Sequence, residues 1–151
     1  MGSAFASKKQ YEKALECFEK AIFFDPKSVG IWNSLGNIYY NKKKYLSAAE
    51  CFEKAIELDP DNAIIWLNVC QDCYDKILEE NPNDIDKIVH KGHLFRLRKD
   101  LHQALATYEQ ALQIEPNNFL ARHWWAKVAK KLKKSEQNKY QKQNSINNRS
   151  D

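Results

Sequence analysis

Residues 32–60, WNSLGNIYYNKKKYLSAAECFEKAIELDP, contain two apolar stripes at helical spacing on either side of a polar turn. Positions that recur every three or four residues lie on one face of a helix. The stripe of the first helix consists of Trp32, Leu35 and Tyr39, and that of the second consists of Ala48, Phe52 and Ala55. The stretch therefore predicts two helices that pack against each other as a hairpin.

Gly36 lies within the first helix, where glycine costs roughly 1 kcal/mol of helix propensity relative to alanine. That cost indicates a close approach of the second helix, which we expect to come from Tyr45, Ala48 or Ala49. Pro60 ends the second helix because proline cannot continue a helix and disfavours helical geometry in the residue before it.

This pattern resembles the tetratricopeptide repeat (TPR), a helix-turn-helix unit of about 34 residues. The resemblance implies an all-α fold, in which antiparallel helix hairpins stack into a solenoid with a right-handed superhelical twist. In such arrays the first helices line a groove that binds extended peptides or partner helices. A single hairpin cannot bury its own apolar face, so neighbouring units are required.

The repeat recurs along residues 1–134 with one irregularity. Pro82 follows Pro60 by only 22 residues, whereas Pro116 follows Pro82 by 34. The pattern predicts a half repeat over 10–26, full repeats over 29–60 and 85–116, a truncated unit over 63–82 and a capping helix over 118–134. Because no turn residue interrupts residues 63–80, we expect one continuous helix there and seven main helices instead of eight.

The half repeat contributes only a second helix, so its apolar stripe is expected to lack the cover of its own first helix. This stripe and the neighbouring phenylalanine predict a homo-oligomer formed through residues 10–24. The residues expected at that contact are Tyr11, Leu15, Phe18, Ile22 and Phe23.

The chain after residue 117 changes in character. Residues 118–134 are expected to form the capping helix, with a buried side made of Phe119, Trp125, Ala126, Val128 and Leu132. Residues 135–151 are rich in Asn, Gln, Lys and Ser, and this composition predicts a disordered tail or, alternatively, a fraying extension of the helix.

Length and composition fit a packed soluble array. The chain has 151 residues, of which 43% are hydrophobic and 12% aromatic. It contains no run of 18 apolar residues and no N-terminal signal pattern, so we expect a cytoplasmic protein. Residues 121–151 hold nine basic and two acidic residues, whereas residues 1–120 hold fifteen and eighteen, so the net charge of +4 comes from the C-terminal segment.

No pattern in the sequence predicts catalysis or a cofactor. Cys70 and Cys73 have the spacing of a redox or metal motif, but the repeat register makes them, with Cys17 and Cys51, small buried or half-buried apolar residues. His90 and His93 share a helix face without further zinc ligands nearby, so we expect them on a solvated face. Phosphate-binding loops, nucleophile elbows and paired acids are absent from the sequence.

Trp124 and Trp125 precede a run of lysines, a combination that can bind nucleic acid or an anionic membrane surface. We favour a structural role, in which one tryptophan packs on the last repeat and the lysines keep the outer face polar. Binding through residues 122–142 remains the alternative. A second alternative is that the chain is a regulatory fragment of a larger enzyme.

The favoured function is a non-catalytic adaptor or scaffold that binds a protein or peptide in the groove. By the resemblance, the groove-facing positions are Asn33, Asn37, Asn68, Gln71, Asp86, His90 and His93. TPR domains that hold a C-terminal carboxylate use two asparagines, two lysines and an arginine. Here the two asparagines are matched by Asn37 and Asn68, but the cation positions hold Asn33, Asp86 and His90. We therefore expect recognition of a peptide backbone by side-chain amides rather than a cationic clamp.

Overall fold

The structure, a computed structural model, describes residues 10–147, which form seven α-helices and no strand. The helices are α1 (Tyr11–Phe24), α2 (Val29–Asn41), α3 (Tyr45–Leu58), α4 (Ile64–Glu80), α5 (Ile85–Leu97), α6 (Leu101–Ile114) and α7 (Phe119–Asn147), and a short 3-10 helix (Pro60–Asn62) precedes α4. The all-α class is confirmed. Helix α4 is uninterrupted, so the prediction of a single helix over residues 63–80 is confirmed as well.

The described residues divide into two compact units, unit 1 up to Pro82 and unit 2 from Asn83. In unit 1, which contains α1 to α4, each helix packs against the next one along the chain. In unit 2, α5 packs on α6 and α6 on α7, and α5 also contacts α7. No helix among the described residues is long and apolar enough to span a membrane.

The first helix of each full repeat carries a glycine beneath an aromatic ring of the second helix. A Cβ added to Gly36 would lie 2.7 Å from Cε1 of Phe52. The prediction that Tyr45, Ala48 or Ala49 makes this approach is therefore wrong. The physical reason is size: the alanines allow the helices to come close, and the long phenyl side chain then reaches the glycine backbone.

The apolar stripe of α1 is covered, which corrects the expectation that it lacks a partner. Leu15 and Phe18 are each only 8% exposed, in a cluster with Leu35 and Ile38 of α2. Tyr11 and Ile22 are partly buried against the same cluster. The first helix of the following repeat supplies this cover, because a second helix in the array packs on both its neighbours. Phe23 differs from these residues, since it is 83% exposed.

Both hairpin turns place a lysine in the left-handed region of backbone conformation. Lys43, between α2 and α3, has φ of 59°, and Lys99, between α5 and α6, has φ of 65°. This conformation is costly for residues with a Cβ and is readily adopted by glycine. The lysines are therefore a local source of strain in each turn.

Helix α7 departs from the sequence prediction in two ways. It continues to Asn147, so of the two alternatives for residues 135–147 disorder is wrong and a helical extension is found. These residues contain good helix formers and neither proline nor glycine, and residues 148–151 lie outside the described part. Its buried residues are Ala121 and Val128, with Leu132 half-buried. Phe119, Trp125 and Ala126, which were expected to be buried, are exposed.

Three of the four cysteines are buried, and Cys17 is half-buried. Burial raises the pKa of the Cys51 and Cys73 thiols to about 12 in each case, and it raises the pKa of Cys70 as well. A thiol with a raised pKa is a poor nucleophile and metal ligand at neutral pH. The burial predicted for the cysteines from the repeat register is confirmed.

Candidate functional sites

The predicted groove amides of unit 1 lie on α2 and α4. Asn37 and Asn68 are exposed, and Asn33 and Gln71 are half-buried. The indole Nε1 of the buried Trp66 donates a hydrogen bond of 3.1 Å to Oδ1 of Asn33. This bond joins α2 to α4 and fixes the orientation of the Asn33 amide.

A second hydrogen bond crosses the same two helices, and the repeat pattern did not predict it. The hydroxyl of Tyr40 donates to Oδ2 of Asp72. This hydrogen bond to a carboxylate, with burial as a second cause, raises the pKa of Tyr40 to about 12. Asp72 lies four residues after Asn68 and hence on the same helix face, which is the one sequence signal that could have placed it at the site. We call these amides, with Tyr40 and Asp72, the amide face.

The three predicted groove residues of unit 2 do not share one environment. Asp86 and His90 are exposed on α5. His93 is half-buried: its Nδ1 lies 2.8 Å from the hydroxyl oxygen of Tyr108, and its ring centroid lies 5.1 Å from that of Trp124. His93 is thus part of the packing between helices, which corrects its assignment to a solvated face.

Trp124 is the centre of a cationic cluster in unit 2. The guanidinium of Arg96 lies 4.2 Å from the Trp124 ring centroid, and the ammonium of Lys127 lies 4.9 Å from it. Both distances are within the range of cation–π attraction. The expectation that one of the two tryptophans packs on the last repeat is confirmed for Trp124.

Trp125 lies on a different surface, in an open groove between α6 and α7 with a volume of about 1000 Å³. Its Nε1 donates a hydrogen bond of 3.0 Å to Oε1 of Glu109, and its side chain is 37% exposed. The groove is further lined by Leu112, Pro116, Phe119, Arg122 and Ala126.

The remaining predicted residues fall outside these surfaces. Of the self-association candidates, only Phe23 is open to solvent, next to the equally exposed Phe24, with ring centroids 5.5 Å apart. Residues 10–147 contain no group of three or more His, Cys, Asp or Glu side chains that could hold a metal ion.

Family models of the tetratricopeptide repeat match the chain over residues 30–62 and 88–118, and a TPR repeat model matches residues 2–43. The chain belongs to the TPR family. None of the curated proteins is significantly similar in sequence to this TPR protein.

Several solved TPR structures resemble the fold. The first TPR of Spaghetti (RPAP3), bound to an HSP90 peptide, is 21% identical, with coverage of 87% of this chain and 86% of that one and a TM-score of 0.38. The second TPR domain of the human RPAP3 protein, in complex with an HSP70 peptide, is 21% identical, with 85% and 88% coverage and a TM-score of 0.38. YrrB, a TPR protein with an unusual peptide-binding site, is 19% identical, with 81% and 87% coverage and a TM-score of 0.38.

Proposed function

We propose that this TPR protein is a non-catalytic interaction module that binds an extended peptide segment of a partner on the amide face of unit 1. The observation that supports the proposal is the row of amides on α2 and α4, Asn33, Asn37, Asn68 and Gln71. The bonds from Trp66 to Asn33 and from Tyr40 to Asp72 join the two helices that present them.

The chemistry of an amide suits a peptide backbone, because it donates through nitrogen and accepts through oxygen, as the backbone does. The bond from Trp66 uses one of the two lone pairs on the carbonyl oxygen of Asn33 and orients the amide, and the NH₂ group keeps its two donors. Each neutral hydrogen bond contributes about 0.5–1.5 kcal/mol net. Several amides along one face therefore give specificity for an extended chain with moderate affinity.

The charges of the amide face disfavour a ligand that ends in a carboxylate. A buried carboxylate needs charge-assisted donors to offset its desolvation. Unit 1 has Asn33 at the position of the first clamp lysine, and the carboxylate of Asp72 lies on the amide face. We therefore infer that the ligand is an internal segment whose backbone amides, rather than its terminus, are recognised.

The experiment starts from peptides selected against the intact protein from a random library and measures their affinity by fluorescence anisotropy. Asn37→Ala and Asn68→Ala are expected to weaken binding several-fold each. Gln110→Ala, which removes an exposed amide from α6 in unit 2, is the matched control and should have no effect. C-terminal amidation of the peptide should also have no effect. A tenfold loss on amidation, or full affinity in both asparagine variants, would refute the proposal.

A second candidate function rests on the charge of α7. This helix holds eight basic residues and one acidic residue, and residues 133–147 are exposed throughout. Such a helix could bind nucleic acid or an anionic membrane by electrostatic attraction, with affinity that falls steeply as salt rises. The discriminating measurement is binding to single-stranded RNA and to phosphatidylserine vesicles at two salt concentrations, with Lys139→Glu and Lys142→Glu combined as the variant.

A further inference from the structure

The open groove between α6 and α7 corresponds, residue by residue, to a junction in unit 1. The two differ by a constant offset of 90 in residue number: α1 and α6 begin at Tyr11 and Leu101, and α2 and α7 begin at Val29 and Phe119. The small cavity at the α1/α2 junction is lined by Glu19, Ile22, Trp32 and Leu35. Their counterparts, Glu109, Leu112, Arg122 and Trp125, line the α6/α7 groove.

The two sites differ in one wall. In unit 1, α3 closes the junction with Ser47, Glu50, Cys51 and Lys54. In unit 2, the lining residues come from α6, from α7 and from the turn between them. The position that α3 occupies in unit 1 is therefore open in unit 2 within the described residues.

The continuation of α7 does not have the side chains needed to close the groove itself. At the same offset, α3 corresponds to residues 135–148. The core residues Ala48, Phe52 and Ala55 are replaced there by Asn138, Lys142 and Ser145. A helix with this polar stripe gains nothing by folding back, and α7 instead continues to Asn147, with residues 133–147 exposed.

Because the groove is open on this side, apolar side chains that the repeat pattern predicts to be buried are exposed to solvent. Phe119 is 77% exposed, and Trp125 is exposed although its counterpart Leu35 is buried. We propose that this groove receives an amphipathic helix of a partner protein, docked on α6 and α7 as α3 docks on α1 and α2. This second surface lies in unit 2 and does not depend on the amide face.

Two differences between corresponding residues of the two units define the chemistry of the partner helix. Ala126 stands where unit 1 has Gly36, and a Cβ at Gly36 would meet the Phe52 ring at 2.7 Å. The partner therefore presents an aliphatic side chain at that position, because a phenyl ring would collide with the Ala126 methyl. Arg122 replaces Trp32, and α7 is strongly basic, so acidic residues flank the apolar stripe of the partner.

The test uses α3 itself as the probe. A labelled peptide of residues 44–60, with Cys51→Ser to prevent oxidation, carries four acidic and two basic residues, and a second peptide also has Phe52→Leu. Anisotropy titrations with the intact protein should show at least roughly threefold tighter binding of the second peptide, because a tight apolar pocket discriminates side chains by size. Ala126→Gly should reverse this preference by restoring the space for a phenyl ring.

Two further variants separate this groove from other surfaces. Ala126→Glu introduces a charge at an exposed groove position and should weaken both peptides about tenfold or more. Lys20→Glu, at an exposed position of α1 in unit 1 and outside the groove, should change affinity less than about twofold, since a single surface charge is screened. Circular dichroism checks that each variant is folded. Full affinity of Ala126→Glu, an unchanged preference in Ala126→Gly, or no saturable binding up to about 1 mM peptide would overturn the proposal.

Discussion

Gly92 of α5 lies directly beneath the ring of Tyr108 of α6, so that a Cβ on Gly92 would lie 2.5 Å from Cε1 of Tyr108. Gly36 and Phe52 repeat the relationship in unit 1. In both hairpins the absence of one side chain lets a buried aromatic ring approach the backbone of the first helix. The glycine thus leaves room for the ring, in addition to the space that the small alanines of the second helix provide.

We expect Gly36→Ala and Gly92→Ala to destabilise the protein by about 1–3 kcal/mol each, because the added methyl overpacks a closed contact. Gly30→Ala is the matched control, since a Cβ at this helical position meets nothing within 4 Å. It should raise stability by roughly 0.5–1 kcal/mol through helix propensity. Urea denaturation followed by circular dichroism measures all three, and equal effects at positions 30 and 36 would contradict the packing account.

Replacing the lysine in either hairpin turn by glycine should stabilise the protein. Lys43→Gly and Lys99→Gly keep the left-handed conformation but relieve its steric cost, which is about 1–2 kcal/mol for a residue with a Cβ. Part of this gain is offset by the greater entropy of glycine in the unfolded chain, so a net increase of about 0.5–1 kcal/mol is expected. Lys54→Gly, in the interior of α3, should instead cost about 1 kcal/mol. Destabilisation by Lys43→Gly would show that the turn is not strained.

The hydrogen bond from Tyr40 to Asp72 predicts sensitivity to alkaline pH. The folded-state pKa of Tyr40 is about 12, above the ordinary value of 10.0. Since the folded state holds the proton more tightly, this contribution is fully present below pH 10 and is lost as pH rises from 10 towards 12. Tyr40→Phe should therefore flatten the fall in the free energy of unfolding above pH 10. The difference in phenolate absorbance between the protein and Tyr40→Phe follows the titration of Tyr40. An identical slope of the free energy of unfolding against pH in the variant would contradict the assignment.

Removal of the Asn33 acceptor tests the bond that joins α2 to α4. Asn33→Ala leaves the indole N–H of the buried Trp66 without its partner, which should cost about 1–3 kcal/mol of stability. Asn37→Ala removes an exposed amide from the same helix and should change stability by less than about 0.5 kcal/mol. Thermal or urea unfolding compares the two. Equal stability of both variants would mean that the bond does not hold the face together.

Self-association through α1 stays a prediction, now restricted to its exposed end. Phe23 and Phe24 together form an exposed aromatic pair, and adjacent exposed aromatics favour an interface. We expect a dimer at tens of micromolar in sedimentation experiments, which Phe23→Asp abolishes without loss of folding. Phe18→Asp should unfold unit 1 because Phe18 is buried, and Leu46→Asp, at another exposed apolar position, is the control. A monomer at these concentrations would exclude the contact.

The candidate site could be predicted only in part. The repeat register identified the amides of α2 and α4, since positions on a helix face follow from spacing alone. It could not show that Asn33 pairs with Trp66 or that Tyr40 reaches Asp72, because each pair is more than 30 residues apart in the chain. It also could not assign His93 to the packing around Tyr108 and Trp124.

The sequence by itself determined the elements of residues 10–147: their seven helices, the spacing of the prolines that end several of them, and a single helix over residues 63–80. These features follow from local geometry, because each depends on residues within one or two turns of helix. Only the tertiary structure decided which faces are covered. The apolar stripe of α1 is buried by α2, whereas Phe119, Trp125 and Ala126 of α7 stay exposed. The sequence predicts an apolar stripe on both α1 and α7. The physical reason is that burial depends on a neighbouring helix that is correctly placed in space, and the periodicity of one helix carries no information about its neighbour.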